Sequence, residues 1–180
     1  MTLRGELPKR KAEWWADGVK HVDFAGPDTM GMTAAKLLDL YVSSQKTREM
    51  MLYPSLVRFL SLVFERPPMA FQSLTMRVGT QQPIHADTTF VRLSSALEMV
   101  ASWIALEDVE EGSGELEYYP GSHAIPELLF DGRLKWSPEN ATVVPNYSPK
   151  LHEHARAHGL ELKRFRPKKG DVLFWAADLY

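Results

Sequence analysis

In the stretch QQPIHADTTF (81–90) a histidine and an aspartate, His85 and Asp87, stand on either side of one small residue. In an extended chain, residues two apart project from the same face, so this imidazole and this carboxylate can reach one ion together while Ala86 points away. They supply two thirds of a 2-His-1-carboxylate set, which holds Fe(II) on one face and leaves the opposite positions open. H-x-D alone is a weak signal, because any histidine two residues from an aspartate satisfies it. Other residues offer less. His123 lies in YYPGSH, where Pro120 and Gly121 suit the central positions of a type II turn, and it reads as structural or as substrate-facing. His154 and His158, four apart in LHEHARAH, share one face if that segment is helical and form a possible zinc pair, with a solvated helix face as the plainer reading. Arg156 stands where an H-E-x-x-H motif needs its second histidine. His21 has no partner visible in the sequence, and the acidic pairs Glu107–Asp108 and Glu110–Glu111 read as a solvated turn.

The elements that must position His85 and Asp87 follow from the periods of the chain. From Thr33 to Glu65 apolar residues recur at helical spacing (Leu37, Leu38, Leu40, Tyr41, then Leu56, Val57, Leu60, Phe64), which predicts two helices with a break before Pro54. Arg66-Pro67-Pro68 ends the second, because proline has no amide hydrogen and clashes with the preceding turn. Beyond it the period becomes two. AFQSLTMRVG (70–79), LEMVASWIAL (97–106), ELEYY (115–119), LELKRFR (160–166) and DVLFWA (171–176) read as strands separated by glycine and proline turns, the second dense enough in apolar residues to be buried on both faces. Residues 124–159 lack a clear period and read as a long excursion between strands.

Composition sets limits on function. At 180 residues with 44% apolar and 24% charged side chains and a net charge near −2, the chain reads as a single globular domain without the basic excess that attracts nucleic acid. The absence of cysteine removes disulfides, thiolate zinc sites and a cysteine nucleophile. MTLRGELPKRK has no apolar run behind it, and no stretch reaches the roughly 18 apolar residues of a membrane span, so no membrane partner and a cytoplasmic location are expected. Neither a phosphate loop, a G-x-S-x-G elbow nor a dinucleotide fingerprint is present. EGSGE (111–115) opens no helix that could offer amides to a phosphate.

Three blocks in order, FQSLTMRVGTQQPIHADTTF, ASWIALEDVEEGSGELEYYPGSH and PKKGDVLFWAADLY, together resemble the phytanoyl-CoA dioxygenase family of Fe(II)- and 2-oxoglutarate-dependent oxygenases, from about Ala70 to Tyr180. The resemblance implies a mainly β fold with flanking helices: a double-stranded β-helix (jelly roll, cupin-like), incomplete at its C-terminal end. It divides the single domain 1–180 into a helical part, about 8–66, and a β-helix core, about 70–180. It also implies that His85 and Asp87 are the first two iron ligands, and that Trp103 and Leu74 lie beside the 2-oxoglutarate co-substrate, although both also suit core packing. The implied partners are dioxygen and a small-molecule substrate hydroxylated at an unactivated carbon. Relatives that halogenate typically replace the carboxylate ligand with a small residue, so Asp87 favours hydroxylation.

The family's distal histidine follows the G-D-x-x-x-[FW] strand, and its arginine for the far carboxylate of 2-oxoglutarate comes later still. Here GDVLFWAADLY reaches Tyr180 before either. The resemblance therefore implies an incomplete site: a C-terminally truncated fragment, inactive alone and prone to self-association through an open sheet edge beside DVLFWA. The alternative is an iron-free β-helix domain that serves as a binding or interaction module.

Overall fold

The computed structural model describes residues 11–16, 19–24, 35–76, 79–94, 98–137 and 146–180. It is sheet-rich with a few helices, and the chain divides into two compact units, Met1–Gln82 and Pro83–Tyr180. The division falls beyond the change of period near Pro68 and places Leu74 in the first unit.

The first unit carries a four-stranded sheet ordered β2-β1-β3-β4, with β1 at Lys11–Ala16, β2 at Val19–Phe24, β3 at Lys36–Leu38 and β4 at Leu74–Thr75. The expected helical stretch from about 8 to 66 is thus corrected at both 11–24 and 36–38. KAEWWA and VKHVDF are rich in the branched and aromatic residues that favour strands, and Asp17-Gly18 between them is a hairpin signal that a helical reading passes over. In β3, Leu37 is fully buried and pairs with Ala12 on one side and Thr75 on the other. Asp39 then takes a left-handed conformation (φ 50°), donating its amide to Ser73 O and accepting from Ser73 N. That residue cuts the apparent helical period of Leu37, Leu38, Leu40 and Tyr41, because a left-handed residue cannot continue a right-handed helix.

Two helices with a break before Pro54 follow, but the first lies beyond Leu37, Leu38, Leu40 and Tyr41, the residues on which the sequence places it. α1 (Gln45–Met51) is capped by Ser44, whose hydroxyl accepts from Thr47 N, and α2 (Pro54–Phe64) has proline in its first turn, where a missing amide hydrogen costs nothing. α2 stops at Phe64, with Glu65 left-handed immediately before Arg66-Pro67-Pro68. A small core of Ala12, Leu37 and Leu40, with Trp14 against it, holds this unit together. Of the strand expected over 70–79, only β4 pairs among the described residues.

The second unit holds two antiparallel pairs, β5 (Val100–Ile104) with β8 (Val172–Ala176) and β6 (Leu116–Tyr118) with β7 (Lys163–Phe165). Each lies within its expected segment. β5 is not buried on both faces, however: Ser102 is exposed and its neighbours are half-buried, because β8 is its only described partner. The G-D of the third block shapes the entry to β8. Gly170 has φ 97°, Asp171 accepts from Lys168 N through Oδ2 and donates its own amide to Lys168 O, and the bonds Gly170 N to Ala105 O and Ala105 N to Asp171 O fix the register.

The excursion 124–159 is not without structure. α3 (Tyr147–Ala157) turns Tyr147, Leu151 and Ala155, four apart, onto one face, and these pack with Ala86, Tyr119 and Tyr180 in the main core of this unit. Prolines and asparagines upstream mask that short period in the sequence.

Candidate metal centre

His85 and Asp87 lie at a change of backbone, not within a strand. Ala86 is extended (φ −92°, ψ 138°), and Asp87–Thr89 form one 3-10 turn closed by hydrogen bonds from Thr89 N and its hydroxyl to Ala86 O and from Phe90 N to Asp87 O. The small residue between the two candidate ligands is buried against Tyr119, Leu151, Ala155 and Tyr180, and α3 anchors the segment further through the Ser148 hydroxyl on Ile84 O at 2.7 Å. With Ala86 turned into the core, the flanking side chains sit half-buried beyond it, about a quarter exposed. The alternation argued from sequence therefore holds across this short extended segment.

His85 Nδ1 lies 2.7 Å from Pro83 O. A carbonyl oxygen only accepts, so Nδ1 carries the proton and Nε2 is the basic nitrogen. Nε2 faces Asp87 Oδ1 at 3.6 Å, too far for a hydrogen bond, while Asp87 Oδ2 accepts the indole N–H of Trp175 at 3.1 Å. A basic imidazole nitrogen and an anionic oxygen thus face each other across a short gap, each with its remaining polar atom committed elsewhere. This donor set suits a divalent cation such as Fe(II), for which a backbone carbonyl behind the ligating histidine is the usual orienting partner. His85 and Asp87 are two donors; among the described residues no group of three or more His, Cys, Asp or Glu could hold a metal ion.

Around this pair Phe90 and the excursion supply side chains that sequence reasoning did not single out. Phe90 meets His85 edge-on at 5.2 Å, Trp136 meets Phe90 at 6.0 Å, and Tyr147 stacks on Trp136 at 4.7 Å. Lys135 donates to the Thr88 hydroxyl at 3.3 Å. Burial pushes the Tyr147 phenol well above the ordinary tyrosine range, against the hydrogen bonds that Ala86 and Thr89 make to it. The aromatic residues of TTF and KW were visible, but no spacing rule joins residues 85, 90, 136 and 147.

The tryptophan expected beside the co-substrate lies in β5 opposite Leu173, with Ala101 opposite Trp175. Directly paired residues share a face, so Trp103 and Trp175 occupy the same side of the β5–β8 pair. Trp103 is half-buried and meets Phe165 edge-on at 5.9 Å. Leu74 pairs with Leu38 in the first unit and is 43% exposed.

The remaining histidines of the second unit are separately engaged. Pro120-Gly121 does make the type II turn, with Gly121 at φ 91°, ψ −6° and Ser122 N bonded to Tyr119 O; His123 beyond it is exposed. Ser122 Oγ receives the amide of Tyr180 and donates to its carbonyl, and Tyr180 O accepts from Tyr119 N at 2.7 Å. On α3, His152 Nδ1 bonds the Tyr119 hydroxyl and His154 Nδ1 bonds the Tyr180 hydroxyl at 2.7 Å. The solvated-face reading therefore fits the exposed His158 but not His154, which burial, and then His158 beside it, pushes below the ordinary histidine value. Burial, with a smaller contribution from Tyr119, raises Tyr180 to about 12.

No helix among the described residues is long and apolar enough to cross a membrane. Neither a curated protein nor a solved structure matches the chain. The phytanoyl-CoA dioxygenase (PhyH) family model matches residues 38–180, a span that contains the His85–Asp87 pair, the Trp103 strand and the G-D turn before Trp175. The chain belongs to the phytanoyl-CoA dioxygenase family.

Proposed function

We propose that this protein carries out Fe(II)- and 2-oxoglutarate-dependent oxygenation, hydroxylating an unactivated carbon of a small-molecule substrate, on a β-helix of the jelly-roll type. Family membership supports the oxygenase class, and the observation that carries the residue assignment is His85 Nε2 facing Asp87 Oδ1 at 3.6 Å with His85 Nδ1 committed to Pro83 O. His85 and Asp87 would hold the iron, which when bound would supply the activation of dioxygen that 2-oxoglutarate-dependent oxygenation needs. The chain's part is to hold and orient. His85 offers a neutral imidazole in one tautomer; Asp87 offers a carboxylate that offsets part of the cation's charge. In this reading Trp103 lies beside 2-oxoglutarate, while Phe90 and Trp136 form an apolar wall that limits water around the pair. Among the described residues none is assigned as the third ligand.

The test uses two readouts. His85→Ala and Asp87→Ala should each weaken Mn(II) binding to the protein by at least about tenfold, as the loss of a ligand or its partner does. In a chain that supplies the family's third histidine, the same substitutions should abolish succinate release while circular dichroism stays unchanged. Metal affinity and turnover that survive both substitutions would remove His85 and Asp87 as the ligands, whereas no Mn(II) binding and no succinate release in the unsubstituted protein would replace this reading with the iron-free binding module.

A further inference from the structure

We propose that Trp175 is a positioning residue for the Asp87 carboxylate, fixing which of its two oxygens faces His85. The inference rests on the ligand roles given above to His85 and Asp87. Its basis is a contact between residues 88 apart in sequence: Trp175 Nε1 donates to Asp87 Oδ2 at 3.1 Å in a partly buried setting. The indole N–H only donates, so the partner it takes here is an acceptor oxygen, Oδ2 of Asp87.

β8 holds the turn of His85 and Asp87 at two points. Thr88 N bonds Ala177 O at 3.2 Å, and Ala177 N in turn bonds Met99 O at 3.1 Å, so the backbone after Asp87 is tied to the end of β8 and through it to the start of β5. Trp175 lies two residues earlier on β8, opposite Ala101, and adds the side-chain attachment. With the backbone fixed by Ala177 and Oδ2 fixed by the indole, rotation of the carboxylate is blocked. Oδ1 is left toward His85 Nε2 at 3.6 Å. The histidine has its own orienting partner in Pro83 O, so each ligand has one group behind it, a carbonyl for the imidazole and an indole for the carboxylate. A purely packing role for Trp175 would require only the shape of the ring. A positioning role requires its N–H, and that difference can be measured.

The experiment uses the intact protein and Mn(II) alone as the probe. Trp175 is replaced by 3-benzothienylalanine, which exchanges N–H for sulfur at nearly constant shape, and separately by Trp175→Phe; Asp87→Ala and His85→Ala are titrated alongside. Both Trp175 replacements are expected to weaken Mn(II) about 10–100-fold, the usual effect of removing a group behind a ligand. Unchanged affinity in the benzothienyl protein, with affinity lost in Asp87→Ala, would overturn the role of Trp175 and leave the ligands standing. Unchanged binding in Asp87→Ala and His85→Ala would remove the ligand assignment, and the positioning role with it. A second measurement needs no change at Trp175: without metal, the Trp175 indole N–H resonance should move in Asp87→Ala. An unmoved resonance in folded Asp87→Ala overturns the proposal even where the Trp175 replacements fail to fold.

Discussion

At the scale of single residues the centre is decided by where protons sit. His85 Nδ1 donates to Pro83 O, so nitrogen-15 spectra of the neutral ring should show a protonated Nδ1 and a basic Nε2. The opposite tautomer would turn the ring's lone pair away from Asp87 and count against the ligand assignment. His154 presents the reverse case, a histidine held neutral. Its Nδ1 shares a hydrogen bond with the Tyr180 hydroxyl, and burial and His158 both disfavour the imidazolium. The unfolded chain therefore binds this proton more readily than the folded one. Its contribution to stability is fully present above the unfolded value of about 6.5 and is lost as pH falls through the lower folded value. Denaturant unfolding between about pH 7 and pH 5 should show that acid-side loss, and His154→Gln should flatten it; an identical slope in the variant would assign the loss elsewhere.

At the scale of elements, two features place the pair. The turn into β8 depends on Gly170 at φ 97°, where an added Cβ meets nothing within 4 Å. The cost of Gly170→Ala is therefore conformational, about 1–2 kcal/mol, and should appear as a lower denaturant midpoint with an unchanged slope. Since this turn sets the start of β8, the substitution should also shift the Trp175 indole resonance, and a silent resonance would mean that β8 keeps its register without the glycine. α3 is the second feature. Leu151 is 2% exposed in the same core as Ala86, so Leu151→Ala should cost about 2–5 kcal/mol by deleting packed volume. A loss well below that range, measured by urea unfolding, would show that the segment before the metal pair is held by the Ser148 hydroxyl on Ile84 O rather than by the helix's apolar face.

At the scale of the whole molecule, sheet edges are the distinguishing feature. β5 pairs with β8 and β6 with β7, each as a two-strand set among the described residues, so each set presents outer edges with backbone donors and acceptors. Such edges recruit further strands unless charge or covering protects them. Charge protects one pair: Glu117 and Arg164 stand directly opposite on β6 and β7 and bond at 2.8 Å. β5 and β8 carry no Lys, Arg, Asp or Glu between Val100 and Ile104 or between Val172 and Ala176. Sedimentation velocity should therefore show apparent mass rising above 20.5 kDa with concentration. Constant mass across the concentration series would show that these edges are protected.

What the sequence by itself determined is whatever is written within a few residues. The spacing of His85 and Asp87, the Pro120-Gly121 turn, the break before Pro54 and the stop before Pro67 each depend on local backbone chemistry, and each occurs where that chemistry puts it. The strands β5 to β8 were legible for the same reason, since their alternation and flanking turns are local. Tertiary structure decided the rest. Leu37 and Leu38 carry a helical period but join a strand, because Ala12 and Thr75 offer a sheet position and Asp39 breaks the helix. α3 was hidden by its surroundings and became visible only once Leu151 and Ala155 had Ala86 to cover. The tautomer of His85 and the oxygen that Asp87 presents depend on Pro83 O and on an indole 88 residues away, and the second of these exists only after β8 has docked against the turn. Spacing can nominate two ligands, but their orientation comes from partners that only the folded chain brings within hydrogen-bond range.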